Sequence, residues 1–200
     1  MIDKIYRINH DSFRFDGEVT VYTDPFNLPD GLPKADIVLI SHDHYDHCSP
    51  EDLAKIANDD TIFLAPKECR DKIDGDVRVV KPGDRLEVKG VAIEVVPAYN
   101  TDKQFHPKKA GHVGYVFTLG DQRIYFAGDT DRIPEMKEIT ADIALLPVSG
   151  TYVMTAEQAV EAARDVGAKV TIPMHYGDIV GSADDAERFA KQYEGESVIK

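Results

Sequence analysis

The sequence predicts an α/β (α+β) chain in which mixed β-sheets carry helices on their outer faces. Three observations lead there. Short strand-like runs recur along almost the whole chain, helical patterns are few and gather toward the end, and some strands are apolar on both faces. A strand with no polar face belongs in the middle of a sheet covered on both sides.

The opening elements are the strands "KIYRIN", "SFRFD" and "EVTVYTD", with Gly17 marking the turn between the last two. "TDPFNLPDGLPKAD" is rich in Pro, Gly and Asp and reads as a loop. "DIVLIS" is the strand apolar on both faces and is placed centrally. In "CSPEDLAKIAN", Ser49 caps a helix that has Pro50 at its first position and acids in its first turn. Further strands follow at "TIFLA", "VRVV", "RLEV", "VAIEVVPA", "VGYVFTL", "RIYFAGD", "DIALLPV" and "KVTIPMH", with "SVIK" as a final one. Two helices lie among the last of these. "TAEQAVEAARDVG" offers a Thr155/Gln158 capping box, an apolar stripe at Ala156, Ala159, Val160 and Ala163, and a terminating Gly167. "SADDAERFAKQYEG" starts at Ser182 and presents Ala186, Phe189, Ala190 and Tyr193 on one face.

Two hundred residues suit a single domain over 1–200. Thirty-six acidic against 23 basic residues give a net charge of −13, which repels polyanions and disfavours nucleic acid as a partner. No run approaches the roughly 18 apolar residues of a membrane span, and "MIDKIYRINH" lacks the apolar core of a signal peptide. Cys48 and Cys69 are too few for a disulfide framework. The expectation is a cytoplasmic protein with a small-molecule partner and no membrane; composition is silent on oligomeric state.

Chemistry concentrates in "IVLISHDHYDHCSP", where an apolar strand runs into three histidines and two aspartates. "RIYFAGD" ends likewise on Asp129 and "KVTIPMH" on His175. Ligands at the carboxyl ends of sheet strands are held by rigid elements while loops close around them. His42 and His44 are two apart and point the same way from extended chain. Asp46 and His47 are adjacent and share a target only if the chain turns, as the helix starting at Ser49–Pro50 requires. The spacing therefore points to two metals, which a carboxylate such as Asp129 can bridge at about 3.5–4 Å. Asp43 is the spacer, facing away.

These segments carry a resemblance. "HDHYDH" is similar to the H-x-H-x-D-H signature of the metallo-β-lactamase superfamily of metal-dependent hydrolases, "YFAGDTD" to its bridging-aspartate strand, "IPMHYG" to its final histidine, and "TDPF" to its early aspartate loop. "LLPVSGTYVMTAEQA" looks most like the lactonase-like branch, which includes relatives of L-ascorbate-6-phosphate lactonase. The resemblance implies a four-layer αβ/βα sandwich, the metallo-β-lactamase fold, and one or two divalent ions. Zinc suits the imidazole-rich donors best, with manganese, iron and nickel as other choices. It implies His42 and His44 on a first metal, Asp46, His47 and His175 on a second, Asp129 between them, and Asp24 orienting a ligand or shaping its loop. Asp46 and Asp129 are then the catalytic carboxylates.

The family's third histidine of the first metal is missing from its usual place, where Asn100 stands. Three arrangements satisfy the sequence: Asn100 coordinates weakly or through water, His106 swings in from the loop, or the first site is depleted. His112 is expected to be a surface or structural histidine. His10 is either near the site or exposed in a turn. Tyr152, with Thr151 and Tyr176, is a candidate for the substrate mouth, and Cys48 for simple packing. The expected activity is hydrolysis of a small carbonyl- or phosphate-containing substrate (lactone, ester or phosphodiester) by a metal-activated water. The competing expectations are a nuclease of the same superfamily and a metal-binding module without turnover. "PVSG" at 147–150 lacks the flanking pattern of a serine nucleophile.

Overall fold

The computed structural model describes residues 1–200. Its first sheet is six-stranded and follows chain order: β1 (Ile5–Asn9), β2 (Ser12–Asp16), β3 (Thr20–Thr23), β4 (Ile37–Leu39), β5 (Ile62–Ala65) and β6 (Asp76–Val79). The pairs β1/β2 and β2/β3 are antiparallel and the remaining three parallel. The second sheet has seven strands: β7 (Arg85–Val88), β8 (Val91–Pro97), β9 (Val113–Leu119), β10 (Gln122–Phe126), β11 (Ile143–Pro147), β12 (Val170–Met174) and β13 (Glu196–Ser197). Here too antiparallel pairing gives way to parallel, at β10/β11. Both halves thus begin as a meander and end with parallel strands, whose crossovers carry the helices.

Alternation along the strands divides the apolar side chains between two layers. Phe13, Phe15, Val21, Ile37, Leu39 and Leu64 of the first sheet join the residues of the second in one continuous core of 43 residues. The opposite face of the first sheet (Tyr22, Val38, Phe63, Ala65) packs under helix α1 (Pro50–Ile56) through Leu53 and Ile56. Helix α2 (Ala156–Val166) covers the second sheet with the stripe expected of it. Helix α3 (Ala183–Gln192) adds Ala186 and Phe189. The layers are helix, sheet, sheet, helix. No helix is long and apolar enough to cross a membrane.

The helix starts behave as their sequences require. The Ser49 hydroxyl accepts from the Asp52 amide at 3.3 Å, and Thr155 and Gln158 close a reciprocal capping box. Ser182 pairs in the same way with Asp185. Expected and observed strands agree in place except the last: β13 takes Glu196–Ser197 and so only Ser197 of "SVIK", and β4 is shorter than its apolar run.

At one end the sheets are joined by hydrogen bonds as well as by packing. The Val113 amide donates to the Ser41 carbonyl at 3.0 Å, and the Tyr115 hydroxyl reaches the carbonyls of Ile40 and Leu64 at 2.7 and 3.0 Å. That is the end at which the strands release the polar residues.

Candidate metal centre

Seven segments converge there. Beyond β1 come His10 and Asp11, beyond β3 Asp24, beyond β4 His42 to His47, and beyond β8 Asn100 and His106. Asp129 follows β10, Ser149 follows β11, and His175 follows β12. Four of the six non-glycine residues with positive φ lie in this group: His10, Asp24, Tyr152 and His175. Backbone held in that region costs free energy and persists where surrounding structure fixes it, commonly at functional sites.

The imidazoles are aimed by their far nitrogens. The Ser41 hydroxyl donates to Asp24 and so accepts from His42 Nδ1 at 2.9 Å. The Ser149 hydroxyl donates to the Thr151 carbonyl at 3.3 Å and accepts from His175 Nδ1 at 2.9 Å. Asp24 accepts from His47 Nδ1 at 2.7 Å. With the proton on Nδ1 in each ring, the Nε2 lone pairs of His42, His47 and His175 face inward.

Inside, the donor atoms form two groups about Asp129. His44 Nδ1 lies 3.0 Å from His42 Nε2 and 3.4 Å from His106 Nε2. His47 Nε2 lies 3.6 Å from Asp46 Oδ2 and 3.5 Å from Asp129 Oδ1. Asp129 Oδ2 is 3.3 Å from both His106 Nε2 and His175 Nε2, and 4.0 Å from His42 Nε2. Ligands about 2.0–2.1 Å from a tetrahedral ion stand about 3.4 Å apart, so these spacings fit a metal in each group. Orphaned polar atoms say the same: His47 Nε2, Asp129 Oδ1, both nitrogens of His10 and both oxygens of Asp11 are buried without a hydrogen-bond partner. A cation would satisfy such atoms where no protein group does.

Of the candidates for the first group's third position, His106 stands among the donors. Asn100 is engaged elsewhere: its Oδ1 accepts from the His106 amide at 3.0 Å and its Nδ2 donates to the Tyr152 carbonyl at 2.8 Å. The Asn100 amide also donates to the His106 carbonyl at 2.7 Å. Asn100 closes the loop that delivers His106.

All seven histidines of the chain collect here. His10 is fully buried, its ring 4.2 Å from that of His175 and its Nε2 3.6 Å from Asp46 Oδ2, so the exposed-turn alternative does not hold. His112 is buried and stacks on His42 at 4.8 Å; it is structural and not at the surface. Tyr152 lines the cavity above the donors, whereas Tyr176 is buried beneath the Arg7 guanidinium, 4.0 Å away, and stands outside the mouth. Asp43 turns outward to Lys72 at 3.0 Å. Cys48 is packed under α1.

Electrostatics follow from burying many charges together. Burial holds the imidazoles of His42 and His47 well below their ordinary value, in the neutral form that coordinates. Burial, reinforced by His175, pushes His10 down to about 3. Burial opposes charge on His175 as well, but in the metal-free chain Asp129 and Asp11 outweigh it and raise this group to about 9, so its Nε2 would become a ligand as a metal displaced that proton. The Asp129 carboxyl is held well below its usual range by His175 and His47 against the cost of burial. Burial raises Asp11 and Asp24 well above theirs, and burial together with Asp129 raises Asp46.

Asp11, Ser41 and Ser149 escaped the sequence reading. Asp11 groups with His10, His47 and His175, their ligand atoms all within 4.8 Å of one another. Its one signal was adjacency to His10; the two serines look like ordinary loop residues until the imidazoles are placed.

A family model described as the β-lactamase superfamily domain matches residues 4–175. A UPF0173 metal-dependent hydrolase of Thermoplasma acidophilum is 33% identical over 202 residues, covering 93% of this chain and 88% of that protein. The crystal structure of a candidate metal-dependent hydrolase from Parabacteroides distasonis superposes with a TM-score of 0.87 at 36% identity, covering 98% of this chain and 91% of the other. A candidate zinc-dependent hydrolase of the metallo-β-lactamase superfamily from Thermotoga maritima gives 0.67 at 25% identity, covering 98% and 96%.

Proposed function

The chain belongs to the metallo-β-lactamase superfamily and is a metal-dependent hydrolase with that superfamily's fold, and from this premise we propose a dinuclear enzyme that hydrolyses a small carbonyl- or phosphate-containing substrate in the manner of the lactonase-like branch. The observation that carries the proposal is the placement of Asp129 Oδ2, 3.3 Å from His106 Nε2 on one side and from His175 Nε2 on the other. His42, His44 and His106 would hold one ion, Asp46, His47 and His175 the other, and Asp129 would serve both. Neutral imidazoles with few carboxylates suit zinc, as in the name given to the Thermotoga relative. When bound, such ions lower the pKa of a coordinated water toward 7 and polarise the bond under attack.

The chain's own groups supply the rest. Asp46 lines the cavity, where one carboxylate oxygen would face the ion and the other would accept a hydrogen bond from the attacking water. His10, held neutral, packs beside Asp46, its Nε2 3.6 Å from Asp46 Oδ2. Against a module without turnover stands the position of His106, whose Nε2 lies 3.4 Å from His44 Nδ1 where a third imidazole of the first ion would sit. Cytoplasmic location and a small-molecule partner belong to the same proposal, which the acidic chain supports against a nuclease.

Metal analysis of protein prepared without chelator tests it. Two equivalents per chain are expected, and Asp129→Ala should lose the paired metals and the hydrolytic activity together. Activity surviving that substitution would overturn the reading.

A further inference from the structure

The cavity over the donor atoms is about 320 Å³, at the small end for ligand pockets. Its rim is apolar. Tyr45 (67% exposed), Phe105 (56%), Tyr152 (38%) and Ile179 (37%) are four of the seven large hydrophobic side chains that the chain leaves exposed. Each is tied to the donors by sequence. Tyr45 separates His44 from Asp46, Phe105 precedes His106, and Ile179 lies four residues beyond His175. Tyr152 is held at φ 67° with its carbonyl bonded to Asn100, and its ring meets Phe105 edge-on at 4.5 Å. An exposed apolar collar anchored at Tyr152 by strained, hydrogen-bonded backbone is a placed surface.

What the rim lacks is a cation. Neither lysine nor arginine lines the cavity. Most basic residues of the neighbouring segments are already paired: Arg7 with Asp178, Lys72 with Asp43, Lys103 with Asp131 and Asp102, and Lys108 with Glu135; Lys109 has no such partner but does not line the cavity. A phosphate or carboxylate on the substrate would therefore find no side-chain cation in the cavity wall.

Resting on the reading of the site as a dinuclear hydrolase, we infer that its substrate is a neutral carboxylic ester, cyclic or open, whose apolar chain lies against Tyr45, Phe105, Tyr152 and Ile179, and that phosphate-bearing substrates are disfavoured.

Alkyl hydroxamic acids are neutral metal-binding probes and test this without turnover. Cobalt-loaded protein is titrated with the series from two to eight carbons, and separately with inorganic phosphate, following the visible cobalt absorption. Affinity should rise up to about fourfold per added methylene over the first few carbons. Phe105→Ala and Tyr152→Ala should flatten that rise while metal content stays unchanged, and Val79→Ala, at an exposed apolar site in β6, should leave it intact. Phosphate should bind more weakly than the eight-carbon probe. A flat series, or phosphate binding more tightly, would overturn the inference and leave the metal centre standing. Failure to load cobalt at all would overturn the metal centre itself, and this inference with it.

Discussion

His47 Nδ1 and Asp24 Oδ2 meet at 2.7 Å, with both side chains fully buried and 23 positions apart in the chain. The same carboxylate takes the Ser41 hydroxyl and, through Oδ1, the Ser41 amide at 2.7 Å. One buried group therefore sets the tautomer of His47 and, through Ser41, that of His42. Asp24→Asn replaces one accepting oxygen with an amide donor, which must face either the Ser41 amide or the His47 and Ser41 donors. A ligand that loses such an orienting partner typically binds metal about 10–100-fold more weakly. Competition with a chromophoric zinc chelator should show that loss, with the circular dichroism spectrum of the variant unchanged.

His106 and Asn100 separate a ligand from the residue that positions it. His106→Ala should lower bound metal from two equivalents to one. Asn100→Ala leaves the His106 amide and the Tyr152 carbonyl unpaired, which should cost about 2–3 kcal/mol. It should keep both equivalents, with the first about tenfold weaker. If the amide of Asn100 were itself a ligand, its removal would change the stoichiometry as His106→Ala does.

Asp11 gives opposite signs with and without metal. Its carboxyl is pushed up by burial, so the folded chain resists ionising a group that ionises freely when unfolded. The resulting cost appears above the unfolded pKa near 4 and grows until pH reaches the folded value. Asp11→Asn should therefore melt higher than the parent in chelator at pH 7. Zinc should then raise its melting temperature by less than it raises the parent's, because a carboxylate near the ions has gone. Calorimetric scans of both proteins in both conditions check the crossing.

His112 should make the metal-free protein sensitive to mild acid. Burial, helped by His106 and His44, lowers it to about 4. Unfolding lets it take up a proton below pH 6.5, so stability falls as pH drops from 6.5 toward 4. At pH 5 the penalty is about 2 kcal/mol. Unfolding free energies from urea titrations at pH 7 and pH 5 should differ less for His112→Gln than for the parent, by about that amount.

The residues legible from sequence are those whose direction a strand dictates. His42, Asp129 and His175 each follow an apolar run, and their strand ends were enough to place them. His106 was legible only as one of three alternatives, because its reach depends on a loop closed by Asn100 and no spacing rule gives the path of a loop. His10 and Asp11 were obscured in another way: a polar pair between two strands is what any hairpin turn looks like. Ser41 and Ser149 matter only through the nitrogen each one faces, a relation that exists only once the imidazoles are in place. The fold itself was more legible, since it follows from alternation and capping. The pairing of the two sheets at the site rests on close contacts at single residues.

Gly128 makes such a contact. It follows β10, precedes Asp129, and has φ 63°. A Cβ there would lie 2.8 Å from Ser41 Cβ and 3.0 Å from the Val113 carbonyl oxygen. Ser41 and Val113 are the two residues whose backbone hydrogen bond ties the sheets together, so a methyl group at 128 acts as a wedge between Asp129 and the His42 segment. The left-handed backbone adds about 1–2 kcal/mol for any residue with a side chain, and the overpacking about 1–3 more. Gly128→Ala should lower stability by about 3 kcal/mol in urea. It should also weaken both metals together, since Asp129 lies between the two groups. A variant that lost stability but bound both ions with parental affinity would show that the sheets can part at this point without disturbing the centre.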